Sequence, residues 1–242
     1  MNHDVELPED AASLPAPEIY EKEYEYWPWG TLLRYAAQWV AAHAPNNAVV
    51  LDYMCGTGYL LNEIAADRPD LCFYGCSITP AFIAYANRRY PHLHIIREDA
   101  LCYRPPQRPD IVLCTAGLHH LPLDLQPTFI RKVASELPTG RYFLLGEELI
   151  REHSDKTSRA LAALEMSNAL IACSLQLGAP RPVIEAAFQM LHNDVFLDGE
   201  YKRARSQVLA MLEPYFEIEH LEQTWPKDSD AYGDFLFICK RR

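Results

Sequence analysis

The stretch VVLDYMCGTGYLL, residues 49–61, decides how this chain is read. Val49 to Tyr53 form an apolar run of strand type, and a helical pattern opens at Tyr59 after a glycine-containing turn. Strand, glycine turn and helix make a physical device. The backbone approaches a ligand closely where Cβ is absent, and the helix N-terminus offers unpaired N–H groups. Gly56 and Gly58 alone are weak evidence, because turns after strands often contain glycine. The dinucleotide fingerprint requires a third glycine, and Leu61 stands in its place. Met54 stands where such a turn usually has its first glycine; a negative φ there would let its side chain pack as core.

Outward from this turn, strand and helix patterns alternate. AVVLDY, LCFYGCS, LHIIRE, PDIVLCTAG and the run after PTG read as strands, with helices in GYLLNEIAADRP, TPAFIAYANRRYP and DLQPTFIRKVASEL between them. Thr79 and Pro80 suit the N-cap and first position of one helix. This alternation predicts an α/β fold, a doubly wound sheet of parallel strands with helices on both faces. Residues 151–212 break the rhythm with SRALAALEMSNALIACSLQL, PVIEAAFQMLHND and EYKRARSQVLAMLE, three helical runs without a strand, read as an inserted helical cap. YFEIEHLEQTW and GDFLFICKRR then predict an antiparallel pair at the sheet edge, for seven strands in all. The expected division is an aromatic lid and helix over 1–45, a Rossmann-like core over 46–150, the cap over 151–212 and the strand pair over 213–242. Residues 1–17, polar and proline-containing, are expected to be mobile.

Apolar residues make up 49% of the chain and charged residues 23%, the balance of a soluble globular protein. No run reaches the ~18 apolar residues of a membrane span, and the acidic N-terminus lacks the layout of a secretory signal. A cytoplasmic protein follows as the expectation. The seven cysteines are odd in number, scattered and without a CxxC, so they read as reduced core thiols. A net charge of −11 disfavours nucleic acid as a partner, since phosphate binding needs clustered Lys and Arg. YKRARS at 201–206 and the terminal KRR read as solvated surface. A small molecule is the expected partner, and oligomeric state leaves no mark.

VLDYMCGTGYLL resembles the first motif of the class I S-adenosylmethionine-dependent methyltransferases, commonly VLDLGCGTGYLL, at ten of twelve positions. The resemblance runs in order through YGCSITPAFIAYAN, REDA, PDIVLCTAGLHHLP and ELPTGRYFLLGEEL, covering roughly residues 45–150. It implies S-adenosyl-L-methionine as cofactor, with Asp52, Cys55, Gly56 and Gly58 lining its methionine part. It further places Ser77 and Ile78 at the ribose, Asp99 and Ala100 at the adenine, and Thr115 to Leu118 under the sulfonium. Tyr20 and Tyr24 fall where related enzymes bring a tyrosine over the cofactor. Met54 and Ser77 depart from the pattern. Ser77 replaces a carboxylate that makes two charge-assisted bonds to the ribose, each worth ~1.5–3 kcal/mol.

Methyl transfer requires close positioning and sometimes removal of a proton. His119 follows the fourth strand at its C-terminal end, where open α/β sheets bind ligands, and is the candidate base. Hydrogen bonding that shapes the loop is the alternative for it and for His120. One of Glu147 and Glu148 is expected to face solvent or cap a helix, and the other to orient a histidine or hold a cationic substrate group, with Glu147 the candidate helper of His119. The cluster Tyr20, Tyr24, Tyr26, Trp27 and Trp29 is either a packing staple or a lid whose rings attract the sulfonium. His192, Asn193, Asp194 and Asp198 read as a loop signal or as part of the acceptor pocket. His192 and Asp194 lack metal-ligand spacing, so no metal is expected. The chemistry implied is methyl transfer to a small-molecule acceptor. Two alternatives stand beside it: cleavage of the same cofactor without methylation, releasing methylthioadenosine, and a non-catalytic binding protein on the same fold.

Overall fold

The computed structural model describes residues 15–242, so most of the N-terminal stretch expected to be mobile lies outside the described residues. Seven strands form one sheet in the order β3-β2-β1-β4-β5-β7-β6. They are β1 (Val49–Tyr53), β2 (Cys72–Ser77), β3 (His94–Arg97), β4 (Ile111–Thr115), β5 (Tyr142–Leu149), β6 (Phe216–Trp225) and β7 (Gly233–Arg241). The first five run parallel. β7 runs antiparallel to both β5 and β6, as a short connection between consecutive strands allows.

Both faces of the sheet are covered. Val50, Leu113, Leu144 and Ile238 point to the face carrying α2 (Trp29–His43), α3 (Tyr59–Asp67) and α4 (Pro80–Arg89). Their neighbours Leu51, Val112, Cys114, Phe143 and Phe237 point to the other, under α5 (Gln126–Glu136) and α8 (Arg205–Leu212). This period-two division explains why the strands read as continuous apolar runs, since side chains on both faces are buried. Each large apolar side chain so buried contributes ~1.5–3 kcal/mol. Thr79 is the N-cap of α4, but its side chain makes no capping bond.

Around this core, α1 (Pro17–Tyr26) packs against α2, α4 and α7, and α6 (Lys156–Gln176) pairs with α7 (Arg181–Phe196). α8 lies apart from that pair, with Val208 and Leu212 in the sheet core. Residues 201–204 precede α8 and are not helical, in contrast to the helical reading of EYKR. Instead Ile150 N–H donates to the Arg203 carbonyl, and Ala204 bridges Ile150 in parallel. Only glycine fits at position 30, where a Cβ would lie 1.9 Å from the Tyr24 carbonyl oxygen. That close approach sets α1 against the start of α2.

Met54 has φ +58°, in the left-handed region, so the negative φ expected there is corrected. The conformation costs ~1–2 kcal/mol for a residue bearing a side chain. Gly117 makes the room for it: a Cβ at 117 would lie 3.0 Å from Met54 Cβ and 3.0 Å from Cys114 Sγ. We therefore expect Gly117→Ala to cost ~1–3 kcal/mol by overpacking. Met54→Gly in the same chain should recover part of that loss, and denaturant melts of a double-mutant cycle measure the coupling.

Candidate active site

β1 and β4 are adjacent while their following helices leave on opposite faces, so a crevice opens beyond their carboxyl ends. Asp52 of β1 is buried there, with Oδ1 lacking any hydrogen-bond partner. Burial pushes its pKa up to about 8. The turn beyond it is held by Cys55 N–H on the Cys76 carbonyl and Gly58 N–H on the Cys55 carbonyl. Gly58 needs its hydrogen side chain twice over: φ is +78°, and a Cβ would lie 2.4 Å from Ile95 Cδ1. Gly56, at φ +54°, presents its bare face to the Tyr20 ring, 3.2 Å from where a Cβ would stand. Tyr20 in turn packs on Phe82 and edge-on to Tyr24.

Not every residue assigned to this site points into it. The Cys55 side chain packs into the core under Gly75, which leaves only its backbone at the turn. Ser77 is buried at the end of β2, and the next carbonyl, of Ile78, accepts from Arg97 Nε. Asp99 uses Oδ1 to accept from Leu101 N–H and close its own turn, with Ala100 buried inside it. Thr115 ends β4.

A short turn of 3-10 type, Leu118–His120, follows β4 and is held by Glu147 of β5. Glu147 Oε1 accepts from the N–H groups of Gly117 at 3.1 Å and Leu118 at 2.8 Å. Its Oε2 accepts from His119 Nδ1 at 2.7 Å. The other imidazole nitrogen, Nε2, lies 3.4 Å from Glu200 Oε2. Burial opposes charge on His119, but Glu147 and Glu200 outweigh it and raise its pKa to about 9. His119 is therefore an imidazolium at neutral pH with both nitrogens committed, which conflicts with the expectation of a free base. His120 differs. Its side chain is 39% exposed, and desolvation by the surrounding chain, with the charged His119, holds it below the ordinary imidazole value against the pull of Glu200. Its Nδ1 faces two acceptors, the Gly199 carbonyl at 3.2 Å and Glu200 Oε1 at 3.5 Å. That assigns the proton to Nδ1 and leaves Nε2 as the basic atom.

Behind the histidines lies a charged cluster that the sequence did not disclose. Lys202, read as solvated surface within YKRARS, is only 1% exposed. Its ammonium reaches Asp194 Oδ2 at 2.8 Å, Glu200 Oε2 at 2.9 Å and Glu148 Oε2 at 3.1 Å. Three donors meet three carboxylates. Lys202 and the two histidines hold the Glu200 pKa down to about 2 despite its burial. Arg159 closes the far side on the Asp194 carbonyl, and Arg203 bonds Gln126 and Leu123. Glu148 is likewise buried, so neither strand-end glutamate faces solvent. His119, His120 and Glu200 also bring three possible metal-ligand atoms within 4.8 Å of one another. The Lys202 ammonium already supplies Glu200 with a cation.

A cavity of about 80 Å³, open to solvent on one side, lies among these parts. Ala116 beyond β4, Tyr20 of α1, and Met190 and Asn193 of α7 are among its lining residues. His119, His120, Glu148 and Glu200 line it, as do Glu23 of α1, Trp27 and Trp29, and Glu148 and Glu200 lie near enough to act on Glu23. Of the polar group 192–198, Asn193 thus lines the cavity and Asp194 binds Lys202, while His192 packs on Phe196 and Asp198 is exposed. Glu23, Glu200 and Lys202 were missed as site residues. The spacing of Tyr20, Glu23, Tyr24 and Trp27 along one helix face is the signal that points to Glu23. The residues fit S-adenosylmethionine in one respect on this chain: the unpaired, buried Asp52 oxygen suits its ammonium.

Residues 50–140 match the family model described as a methyltransferase domain. Sheet order and glycine turn are those of the Rossmann-like class I methyltransferase fold, and the match lies on its parallel core. Among individual proteins, the trans-aconitate 2-methyltransferase of Methylobacterium nodulans is 28% identical over 117 residues, 48% of this chain and 44% of that protein. The match thus spans less than half of that relative's length. The plantazolicin methyltransferase BpumL, solved with a desmethyl plantazolicin analogue and S-adenosylhomocysteine, superposes with TM-score 0.62 at 12% identity, over 93% of this chain and 90% of its own. The mitomycin 7-O-methyltransferase MmcR gives 0.56 at 20% identity, over 87% of this chain and 54% of its own. At these identities the structural likeness shows the fold.

Proposed function

We propose that this protein transfers the methyl group of S-adenosylmethionine to a small-molecule acceptor held in the cavity between α1, α7 and the sheet's carboxyl edge. The observation that carries the reading is the cavity itself, lined by Tyr20, whose ring packs on Gly56 of the turn, by His120 and by Met190 and Asn193 of α7. When bound, the cofactor supplies an electrophilic methyl group on a sulfonium. Asp52 and the turn through Gly58 hold its methionine part, Ser77 and Ile78 its ribose, and Asp99 and Ala100 its adenine. Thr115 lies beneath the reacting centre, and Tyr20 and Tyr24 cover it from α1 and exclude water.

His120 Nε2 takes the acceptor proton, a role that passes to it because His119 is already charged. Glu200 faces His120 Nδ1–H and stabilises the imidazolium that forms, the part a carboxylate plays beside a catalytic histidine. Glu147 and His119 position Glu200 and act through it.

The test is incubation with S-adenosylmethionine and candidate acceptors, with mass spectrometry of every product. S-adenosylhomocysteine together with a methylated acceptor is expected, and methylthioadenosine sinks methyl transfer. His120→Gln should lower turnover ~10²–10⁴-fold without weakening cofactor binding. A silent thermal-shift titration with S-adenosylmethionine would leave a non-catalytic protein on this fold.

A further inference from the structure

The α1 wall of the cavity carries two buried polar atoms without a partner, Glu23 Oε1 and Trp27 Nε1. Glu23 is 4% exposed and sits among the rings of Tyr20, Tyr24, Trp27 and Trp29, all of which line the cavity. Glu148 and Glu200 line the same cavity and act on Glu23 electrostatically. No Lys or Arg side chain lines this cavity among the described residues. Lys202 lies behind it and is engaged by three carboxylates.

An unpaired carboxylate in such a place is costly, because burial removes water without supplying a donor. Burial, and then the nearby Glu148 and Glu200, hold the Glu23 pKa well above the usual carboxylate range, the mark of a carboxyl without a counter-charge. An organic cation reverses this balance. It gives Glu23 a counter-charge and presents positive charge to surrounding ring faces, which attract it through their quadrupoles. A polycarboxylate acceptor would instead meet three carboxylates and, beyond the histidines, no basic side chain.

We propose that the acceptor carries a protonated amine, seated on Glu23 between the rings of Tyr20, Tyr24, Trp27 and Trp29, with an oxygen for the Trp27 N–H. The inference rests on the cavity being the acceptor site. It assigns Glu23 as the residue that selects the acceptor's charge.

The experiment titrates phenethylamine, its uncharged counterpart phenethyl alcohol, and trans-aconitate into protein saturated with S-adenosylhomocysteine, at neutral pH, by tryptophan fluorescence and calorimetry. Phenethylamine should bind roughly tenfold or more tighter than the alcohol and than trans-aconitate. Glu23→Gln should erase most of that preference while S-adenosylhomocysteine binding is retained. Equal binding of amine and alcohol, tighter binding of trans-aconitate, or no binding of the amine overturns the proposal. So does a preference that survives in both Glu23→Gln and Glu23→Ala, or a loss of S-adenosylhomocysteine binding in both. Failure of the unaltered protein to bind S-adenosylhomocysteine would instead remove the cofactor reading itself.

Discussion

Lys202→Met should lower stability by ~3–5 kcal/mol, the range for breaking a buried ion pair by removing one partner. The ammonium is the shared counter-charge of Glu148, Asp194 and Glu200, and methionine fills its volume while leaving three carboxylates facing one another. Arg159 and His119 remain, but each reaches only one side of the cluster. For a chain of this size the loss corresponds to a melting point lower by roughly 6–20 °C. The sign of the pH effect follows from Glu200, whose folded pKa is depressed to about 2. Its stabilisation is present above the ordinary glutamate value and is lost as pH falls through about 2. The deficit of the variant should therefore be full at pH 7 and narrow on acidification, as the stranded carboxylates take up protons. Thermal melts of both proteins from pH 7 to pH 3 check this. A melting point unchanged at pH 7 would show that the cluster contributes nothing.

The parallel core was legible because its signals are local. Each strand buries two faces and reads as an unbroken apolar run, each helix carries its own period, and the motif order fixes how they connect. His119 and Glu147, 28 residues apart, were placed together because both follow strand ends that neighbour in the sheet. The Lys202 cluster was not legible. Its partners at 148, 194 and 200 come from a strand, a helix and a connector, and a lysine among arginines has the composition of surface. Met54 failed for a different reason. Its side chain, on a left-handed backbone, packs where residue 117, sixty-three positions away, has no side chain. The protonation of His119 needed both carboxylates, and the sequence offered only Glu147. Glu23 lay within a helix whose face was recognisable, but the aromatic residues around it drew the reading toward packing.

Glu147→Gln should lower kcat/KM for the acceptor by ~10–150-fold while leaving the fold intact. The glutamine oxygen can still accept from Gly117 and Leu118, so the turn after β4 keeps its anchor. Its amide nitrogen, however, faces His119 Nδ1, which currently donates at 2.7 Å. To avoid two opposed donors, His119 must give up the Nδ1 proton and become neutral, donating only through Nε2 toward Glu200. The charge-assisted bond so removed is worth ~1.5–3 kcal/mol, which converts to the stated rate range if it is lost from the reacting arrangement. The His119 pKa, raised to about 9, should fall once Glu147 no longer helps Glu200 to outweigh burial. A raised histidine pKa stabilises the fold fully below about 6.5 and loses that contribution as pH rises through about 9. The stability gap between the unaltered protein and the variant should accordingly close above pH 9. Nuclear magnetic resonance titration of the His119 ring follows the charge directly, and thermal melts against pH follow the linkage. A drop in rate with the His119 titration unchanged would mean that Glu147 acts through the turn alone. Glu200 and His120 would then be positioned without the imidazolium, and the assignment of His119 as their fixed donor would fall.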